Sequence, residues 1–155
     1  MEFISPTKGG LTFEAMFRDI IEFVTERPAG YRLIIGTDSH SRDDTSFVTA
    51  VVIHRMGKGA RYYYQKRTQR QITSLRQRIF YETSLSLGVA GRLAEKMAQN
   101  GYSDLDVEIH LDVGPSGETK ELIREIVGMV TGSGFDAKIK PDSYGASKVA
   151  DKHTK

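Results

Sequence analysis

Cysteine is absent from this 155-residue sequence, which excludes disulfide bonds, thiolate metal sites and thiol nucleophiles. Any metal ion must therefore be bound by carboxylates, imidazoles or water. Long apolar runs are absent too, since no stretch approaches the roughly 18 residues of a membrane span. The first ten residues, MEFISPTKGG, lack the basic start and apolar stretch of a secretory signal. We therefore expect a cytoplasmic protein that does not contact a membrane.

Three familiar catalytic signatures are also missing. The sequence contains no GxSxG elbow of a serine hydrolase and no histidine pair with the HExxH spacing of a zinc protease. The stretch GPSGETK begins at Gly114, but it does not meet the GxxxxGK[ST] spacing of a phosphate-binding loop. It is instead predicted to form a turn that leads into a helix.

What the sequence does contain is typical of a folded domain. Hydrophobic residues make up 39% and charged residues 27%, which argues against disorder, and the length suits one domain. The net charge is only +2, but residues 61–78 hold several cations and no acid. This basic stretch either attracts phosphates or forms a solvated strand and helix face. Its cations are Arg61, Lys66, Arg67, Arg70, Arg76 and Arg78.

Hydrophobic periodicity predicts a helix, three strands, and then helix, strand, helix, strand and helix. The predicted strands are residues 31–37, 47–55, 60–68, 106–113 and 137–140, and residues 39–46 are predicted as a loop or a tight connection. The predicted helices begin after a Thr12 cap, at Ser74, near Thr119 and at Ala146, and the first ends at Pro28 and Gly30. Short links between the first three strands predict an antiparallel meander within a five-stranded mixed sheet flanked by helices. The fold class is therefore α/β.

Two aspartates stand where buried strands are predicted to end. Asp38 follows the apolar run of residues 33–36, and Asp112 closes the fourth strand just before a Gly-Pro turn. In open α/β sheets, sites gather outside the carboxyl ends of the strands, so we expect these acids to share a cleft. Each aspartate also has an alternative role, which is to accept hydrogen bonds from the amides of its own turn.

Glu82 lies on the apolar face of the predicted long helix. On a helical wheel it falls within about 60° of several aliphatic residues, and Ser86 is the other polar member of this face. A glutamate there either pairs with a buried arginine such as Arg32 or faces the aspartates at the strand ends. The apolar members of the face are Leu75, Ile79, Val89, Leu93 and Met97.

Carboxylates in one buried cleft repel one another. Two of them about 4 Å apart repel by roughly 4 kcal/mol at an effective dielectric of about 20. Protonation or a divalent cation relieves this repulsion, and hard oxygen ligands favour Mg²⁺ or Mn²⁺ over zinc. Asp151, in the last predicted helix, is a fourth candidate, although it also suits an exposed salt bridge with Lys148 or Lys152.

The order of these elements and acids resembles the ribonuclease H-like superfamily. That pattern has an aspartate on the first strand, a glutamate on the helix after the meander, an aspartate ending the fourth strand and an acid on the closing helix. More narrowly, the stretches IGTDSH, HLDVGPSG and SYGASKVADKHTK resemble the YkuK-type family of predicted ribonuclease H-like proteins. The resemblance implies a single ribonuclease H-like domain over residues 1–155, with residues 1–30 as an N-terminal helical extension.

The resemblance also implies hydrolysis of phosphodiester bonds by a two-metal mechanism, with two Mg²⁺ or Mn²⁺ ions. The implied substrate is RNA, an RNA/DNA hybrid or branched DNA. His153 or His40 is a candidate for proton transfer. The acids carried over as catalytic residues and metal ligands are Asp38, Glu82, Asp112 and Asp151, with Asp142 as a substitute for the last because the final helix is short.

Nucleic acid is expected to approach across the basic stretch and the last helix. Alternation places Tyr62 and Tyr64 on one face of the third strand and Tyr63 on the other, where they either pack or stack on a base. The alternative function is a non-catalytic nucleic-acid-binding or protein-interaction module, which predicts binding without metal dependence. The expected nucleic-acid-binding residues are Lys66, Arg67, Arg70, Arg76 and Lys152.

Overall fold

A computed structural model describes residues 2–26, 30–57, 59–102, 105–115, 117–143 and 145–154. Its strands are β1 (Phe3–Ser5), β2 (Gly9–Leu11), β3 (Tyr31–Ser41), β4 (Asp44–Arg55), β5 (Ala60–Arg70), β6 (Asp106–His110) and β7 (Asp136–Lys138). The helices within these ranges are α1 (Phe13–Thr25), α2 (Leu75–Gln99), α3 (Ile123–Gly132) and α4 (Gly145–Thr154), and a 3-10 turn (Lys120–Leu122) precedes α3.

The strands form one mixed sheet in the order β2-β1-β5-β4-β3-β6-β7. β3, β4 and β5 are an antiparallel meander, and β6 and β7 join it parallel to β3. Helices α1, α2 and α3 pack on one face of the sheet around the main core, and α4 packs on the other face against β3 and β4. The predicted α/β class, mixed sheet and antiparallel meander are confirmed.

The predicted number of strands is wrong, because the sheet has seven strands rather than five. The two additional strands, β1 and β2, form a hairpin that joins the edge of the sheet where Ile4 pairs with Tyr64. Each is three residues long, and β2 begins with Gly9 and Gly10, so neither shows the alternation that identifies a strand. The N-terminal region therefore holds a hairpin as well as α1.

For residues 39–46 the loop is wrong, and the tight connection is confined to residues 42 and 43. β3 continues to Ser41, and Asp38 lies inside the strand, paired with Val48 of β4. Polar residues continue the ladder here because the partner strand of the hairpin supplies their backbone hydrogen bonds. Asp38 therefore lies inside a regular strand that pairs with β4, beyond the last residue that pairs with β6, which excludes the alternative in which it caps a turn.

The helix boundaries agree well with the capping signals. Thr12 caps α1 by accepting a hydrogen bond from the Ala15 amide at 3.1 Å, and Ser74 caps α2 by accepting one from the Gln77 amide at 3.3 Å. The predicted end of the first helix at Pro28 lies outside the described residues, as does Lys58 in the predicted turn between β4 and β5. Among the helices described, none is both long enough and apolar enough to cross a membrane.

Candidate metal centre

Three carboxylates from distant parts of the chain meet at one end of the sheet. One ligand oxygen from each of Asp38, Glu82 and Asp112 lies within 4.8 Å of the other two. Glu82 is only 5% exposed, whereas the two aspartates are partly exposed. All three line an open cleft of about 350 Å³. Ions and solvent can therefore reach this acid cluster from one side.

Each acid of the cluster is supplied by a different element. Asp38 is on β3, Glu82 projects from the buried side of α2, and Asp112 follows β6. Because β6 is parallel to β3, residues beyond its carboxyl end lie next to the carboxyl-terminal half of β3. β6 stops pairing with β3 at His110 while β3 continues, so the cleft opens beside Asp38.

A chain of hydrogen bonds fixes the orientation of Glu82. The Ser39 hydroxyl donates to Glu82 Oε2, and the Arg78 guanidinium donates to Ser39 Oγ at 3.1 Å. Arg78 lies one turn before Glu82 on α2 and also lines the cleft. The alternative pairing of Glu82 with Arg32 is wrong, because Arg32 Nε lies 2.7 Å from Glu108 Oε2 instead.

Burial and neighbouring carboxylates raise the pKa of two acids of the cluster, Glu82 and Asp38. Burial is the largest cause for Glu82, and the charges of Asp112 and Asp38 add to it, so the pKa of Glu82 lies well above its ordinary value despite the Ser39 hydrogen bond. Burial, the charge of Asp112 and a hydrogen bond with Asp151 raise the pKa of Asp38 to about 7. The fully ionised cluster is therefore costly unless a cation neutralises it.

The raised pKa of Asp38 predicts an unusual pH dependence of stability. In the protein freed of divalent ions, the free energy of unfolding is expected to fall as the pH rises from about 5 to about 8. The carboxyl of Asp38 has a pKa of about 7 in the folded state and an ordinary value of 3.8, so the folded state binds more protons in this interval. Chemical denaturation in EDTA across the interval measures the slope. Asp38→Asn is expected to flatten it, and a slope of opposite sign would contradict the raised pKa.

Lys140 supplies a second cation to the cleft, beside Arg78. Its Nζ lies 2.8 Å from Asp112 Oδ1. The hydrogen bond to Asp112, together with the charges of Asp112, Asp38 and Glu82, raises the pKa of Lys140. The ammonium group is therefore charged at neutral pH and partly neutralises the acid cluster.

Comparison with known proteins identifies the fold family. A family model described as Ribonuclease H-like matches residues 15–155 of the chain. The chain belongs to the ribonuclease H-like family. Uncharacterized protein YkuK of Bacillus subtilis (strain 168) is 39% identical over 166 residues, which cover 99% of this chain and 96% of that protein. No solved structure matches the chain significantly. The predicted membership of the ribonuclease H-like, YkuK-type family is confirmed.

The fold brings a fourth acid, Asp151, next to the cluster. Asp151 is exposed on α4, and its side chain makes a hydrogen bond with that of Asp38. The substitute, Asp142, is exposed and lines a different pocket beside Arg32 and Glu108. Of the two candidates, Asp151 is therefore the one that the fold places at Asp38.

His153 lies in a packing contact on α4. Its ring stacks on Tyr64 with centroids 3.8 Å apart, and its Nε2 lies 3.2 Å from the Tyr62 hydroxyl. Burial and the charge of Lys152 lower the pKa of His153, which favours the neutral ring. His153 thus attaches α4 to the sheet, and through α4 it helps to position Asp151. The predicted alternation of the tyrosines is confirmed, because Tyr62 and Tyr64 face α4 and Tyr63 is in the main core.

The expected nucleic-acid-binding residues are distributed over different surfaces. Asp38, Val48 and Lys66 occupy one row across β3, β4 and β5, so Lys66 shares a face with Asp38 about 10 Å away. Arg70 is four residues after Lys66 on the same strand and therefore faces the same side, whereas Arg67 points to the opposite face. The two remaining residues lie on helices. Arg76 Nη2 forms an ion pair with Glu125 at 2.7 Å on the α3 side, and Lys152 is exposed on α4.

Sequence reasoning missed the polar groups that support the cluster, which are Ser39, Arg78 and Lys140. Two of them carry a signal that was available. Arg78 precedes Glu82 by four residues, the spacing that places two side chains on one helix face. Lys140 and Asp112 each follow the end of a parallel strand, so they reach the same edge of the sheet.

Proposed function

We propose that this protein is a metal-dependent phosphodiesterase that hydrolyses nucleic acid. The observation that carries the proposal is the convergence of Asp38, Glu82 and Asp112 to within 4.8 Å in an open cleft of a ribonuclease H-like chain. Three carboxylates this close together, with the pKa of Asp38 and Glu82 raised, are poorly suited to a merely structural role. They suit a site that binds divalent cations.

The donor set fits Mg²⁺ or Mn²⁺. All three ligands are carboxylate oxygens, the chain offers no thiolate, and one side of the cluster is open to solvent. In this proposal Asp38, Glu82 and Asp112 hold the ions, and Asp151 adds a fourth carboxylate beside Asp38. Bound ions of this class supply Lewis acidity and lower the pKa of a bound water.

The chain's own residues would orient the reactants. Ser39 and Arg78 keep the Glu82 carboxylate directed at the cleft, where a rotated carboxylate would lose its place in the ligand set. Lys66 lies on the Asp38 face of the sheet, where its ammonium group is suited to hold a backbone phosphate. Phosphate contacts of this kind fix the register of a nucleic acid without reading its sequence.

Cleavage of a panel of labelled oligonucleotides tests the proposal. The panel contains single-stranded RNA, an RNA/DNA hybrid, duplex DNA and branched DNA, each incubated with Mg²⁺, with Mn²⁺ or with EDTA. We expect at least one substrate to be cut with a divalent ion and none to be cut in EDTA. Binding of nucleic acid that is independent of metal, with no cleavage of any substrate, would favour the non-catalytic module instead.

A further inference from the structure

Lys140 has an unusual position for a cation beside a candidate metal centre. Its Nζ lies 2.8 Å from Asp112, while 58% of its side chain stays exposed. Lys140, Asp112 and Glu82 line the same cleft. The amine therefore stands at the mouth of the cleft, in contact with one of the acids that the proposed function assigns to metal binding.

The backbone holds Lys140 close to Asp112. The segments that follow β6 and β7 stay paired with each other. The Leu111 amide donates to the Lys138 carbonyl, and the Lys140 amide donates to the Val113 carbonyl, both at 2.8 Å. Gly114 allows this approach, because a Cβ at that position would lie 3.1 Å from Lys140 Cβ. The stem of Lys140 is thus anchored, and only its flexible end is free to reorient.

We propose that Lys140 is an exchangeable counter-cation, which neutralises Asp112 in the metal-free protein and turns to a substrate phosphate when divalent cations bind. This inference rests on the proposed function. Without ions the acid cluster is anionic and attracts the ammonium group. Divalent ions at the same carboxylates neutralise their charge and occupy the Asp112 oxygens, so the attraction that holds the amine at Asp112 is lost. The amine is then free to contact a phosphate of a strand bound at the mouth of the cleft.

The first test is a titration of metal-free protein with Mn²⁺, in which calorimetry measures the affinity. Because the amine competes with the ion for Asp112, Lys140→Gln is expected to bind Mn²⁺ roughly 5- to 50-fold more tightly than wild type. Lys140→Arg keeps the charge and is expected to stay within about threefold of wild type. Lys138→Gln removes the same charge two residues earlier, outside the cleft, and should leave the affinity unchanged.

The second test measures binding of a labelled RNA/DNA hybrid by fluorescence anisotropy, on ice and with saturating Mn²⁺. Here Lys140→Gln is expected to bind the hybrid more weakly than wild type does, whatever the sequence of the hybrid. The slope of log K against log salt should also fall in magnitude by about one, the loss of a single phosphate contact. Stronger metal binding combined with weaker hybrid binding distinguishes exchange from a structural role, which would weaken both.

The outcomes separate this inference from the function on which it rests. If wild type binds Mn²⁺ but Lys140→Gln binds it no more tightly, the exchange is overturned and the metal centre stands. An unchanged hybrid affinity and salt slope in Lys140→Gln, or no hybrid binding by wild type, would overturn the phosphate contact. If wild type binds no Mn²⁺, the metal-dependent function fails and the exchange fails with it.

Discussion

Replacing Asp38 by asparagine is expected to lower metal-dependent cleavage at least about 100-fold, since groups that merely support a metal ligand already contribute about 10- to 100-fold. Asp38 links the three-acid cluster to the fourth acid. It lies beside Glu82 and Asp112, and it makes a hydrogen bond with Asp151. Asparagine keeps the shape and removes the charge. Initial cleavage rates with Mn²⁺, on the best substrate of the panel, measure the effect.

The loss should not come from unfolding. Asparagine relieves the carboxylate repulsion in metal-free protein, so the free energy of unfolding of Asp38→Asn at about pH 8 is expected to equal or exceed that of wild type. Glu118→Gln is the matched control, because Glu118 lines the same cleft on an exposed loop outside the three-acid cluster. Cleavage by Asp38→Asn at the rate of Glu118→Gln would exclude the proposed chemistry.

Replacing Glu82 by leucine is expected to stabilise the fold and to abolish cleavage. Glu82 is 5% exposed within an apolar helix face, and burial together with Asp112 and Asp38 raises its pKa well above the ordinary value. Exchange of buried ionised groups for well-packed apolar residues of similar volume is often neutral or stabilising by about 1 to 4 kcal/mol, and Glu82 has no direct ion-pair partner that its removal would leave uncompensated in the described part of the chain. We expect a gain in that range for Glu82→Leu in EDTA at about pH 8, measured by chemical denaturation.

Glu95→Leu provides the comparison on the same helix. Glu95 is exposed, so its replacement should change stability by no more than about 0.5 kcal/mol and should leave cleavage intact. A destabilised Glu82→Leu variant would mean that the Ser39 hydrogen bond outweighs the cost of burying the carboxylate. That result would leave Glu82 as a structural residue and remove the energetic argument for a bound cation.

The fold was largely predictable because its long elements have strong periodicity. The boundaries of α2 follow from the Ser74 cap and a sustained apolar face, and the meander follows from β-branched runs with short links. The hairpin of β1 and β2 was missed because three residues carry too little pattern. The end of β3 was missed because polarity does not stop a strand whose neighbour continues, as Ser39 and His40 show.

The three clustered acids were predictable because each breaks an apolar pattern that local structure does not explain. Glu82 stands out on a helix face, and Asp112 stands out beyond a buried strand. Groups that fit their local pattern do not stand out in this way. A lysine before a proline is ordinary in a loop, so only the parallel arrangement of β6 and β7 places Lys140 near Asp112. The stacking of His153 on Tyr64 likewise depends on how α4 docks.

The short hairpin at the N-terminal edge has a consequence for solubility. In the described part of the chain, β1 meets β5 at Tyr64, and β5 runs on past it to Arg70. An unpaired strand edge of this kind is a template for edge-to-edge aggregation, and charged side chains are a common protection against it. Lys66, Arg67 and Arg70 stand along this edge and are exposed. Neutralising them would therefore promote aggregation whether or not the protein is bound to nucleic acid.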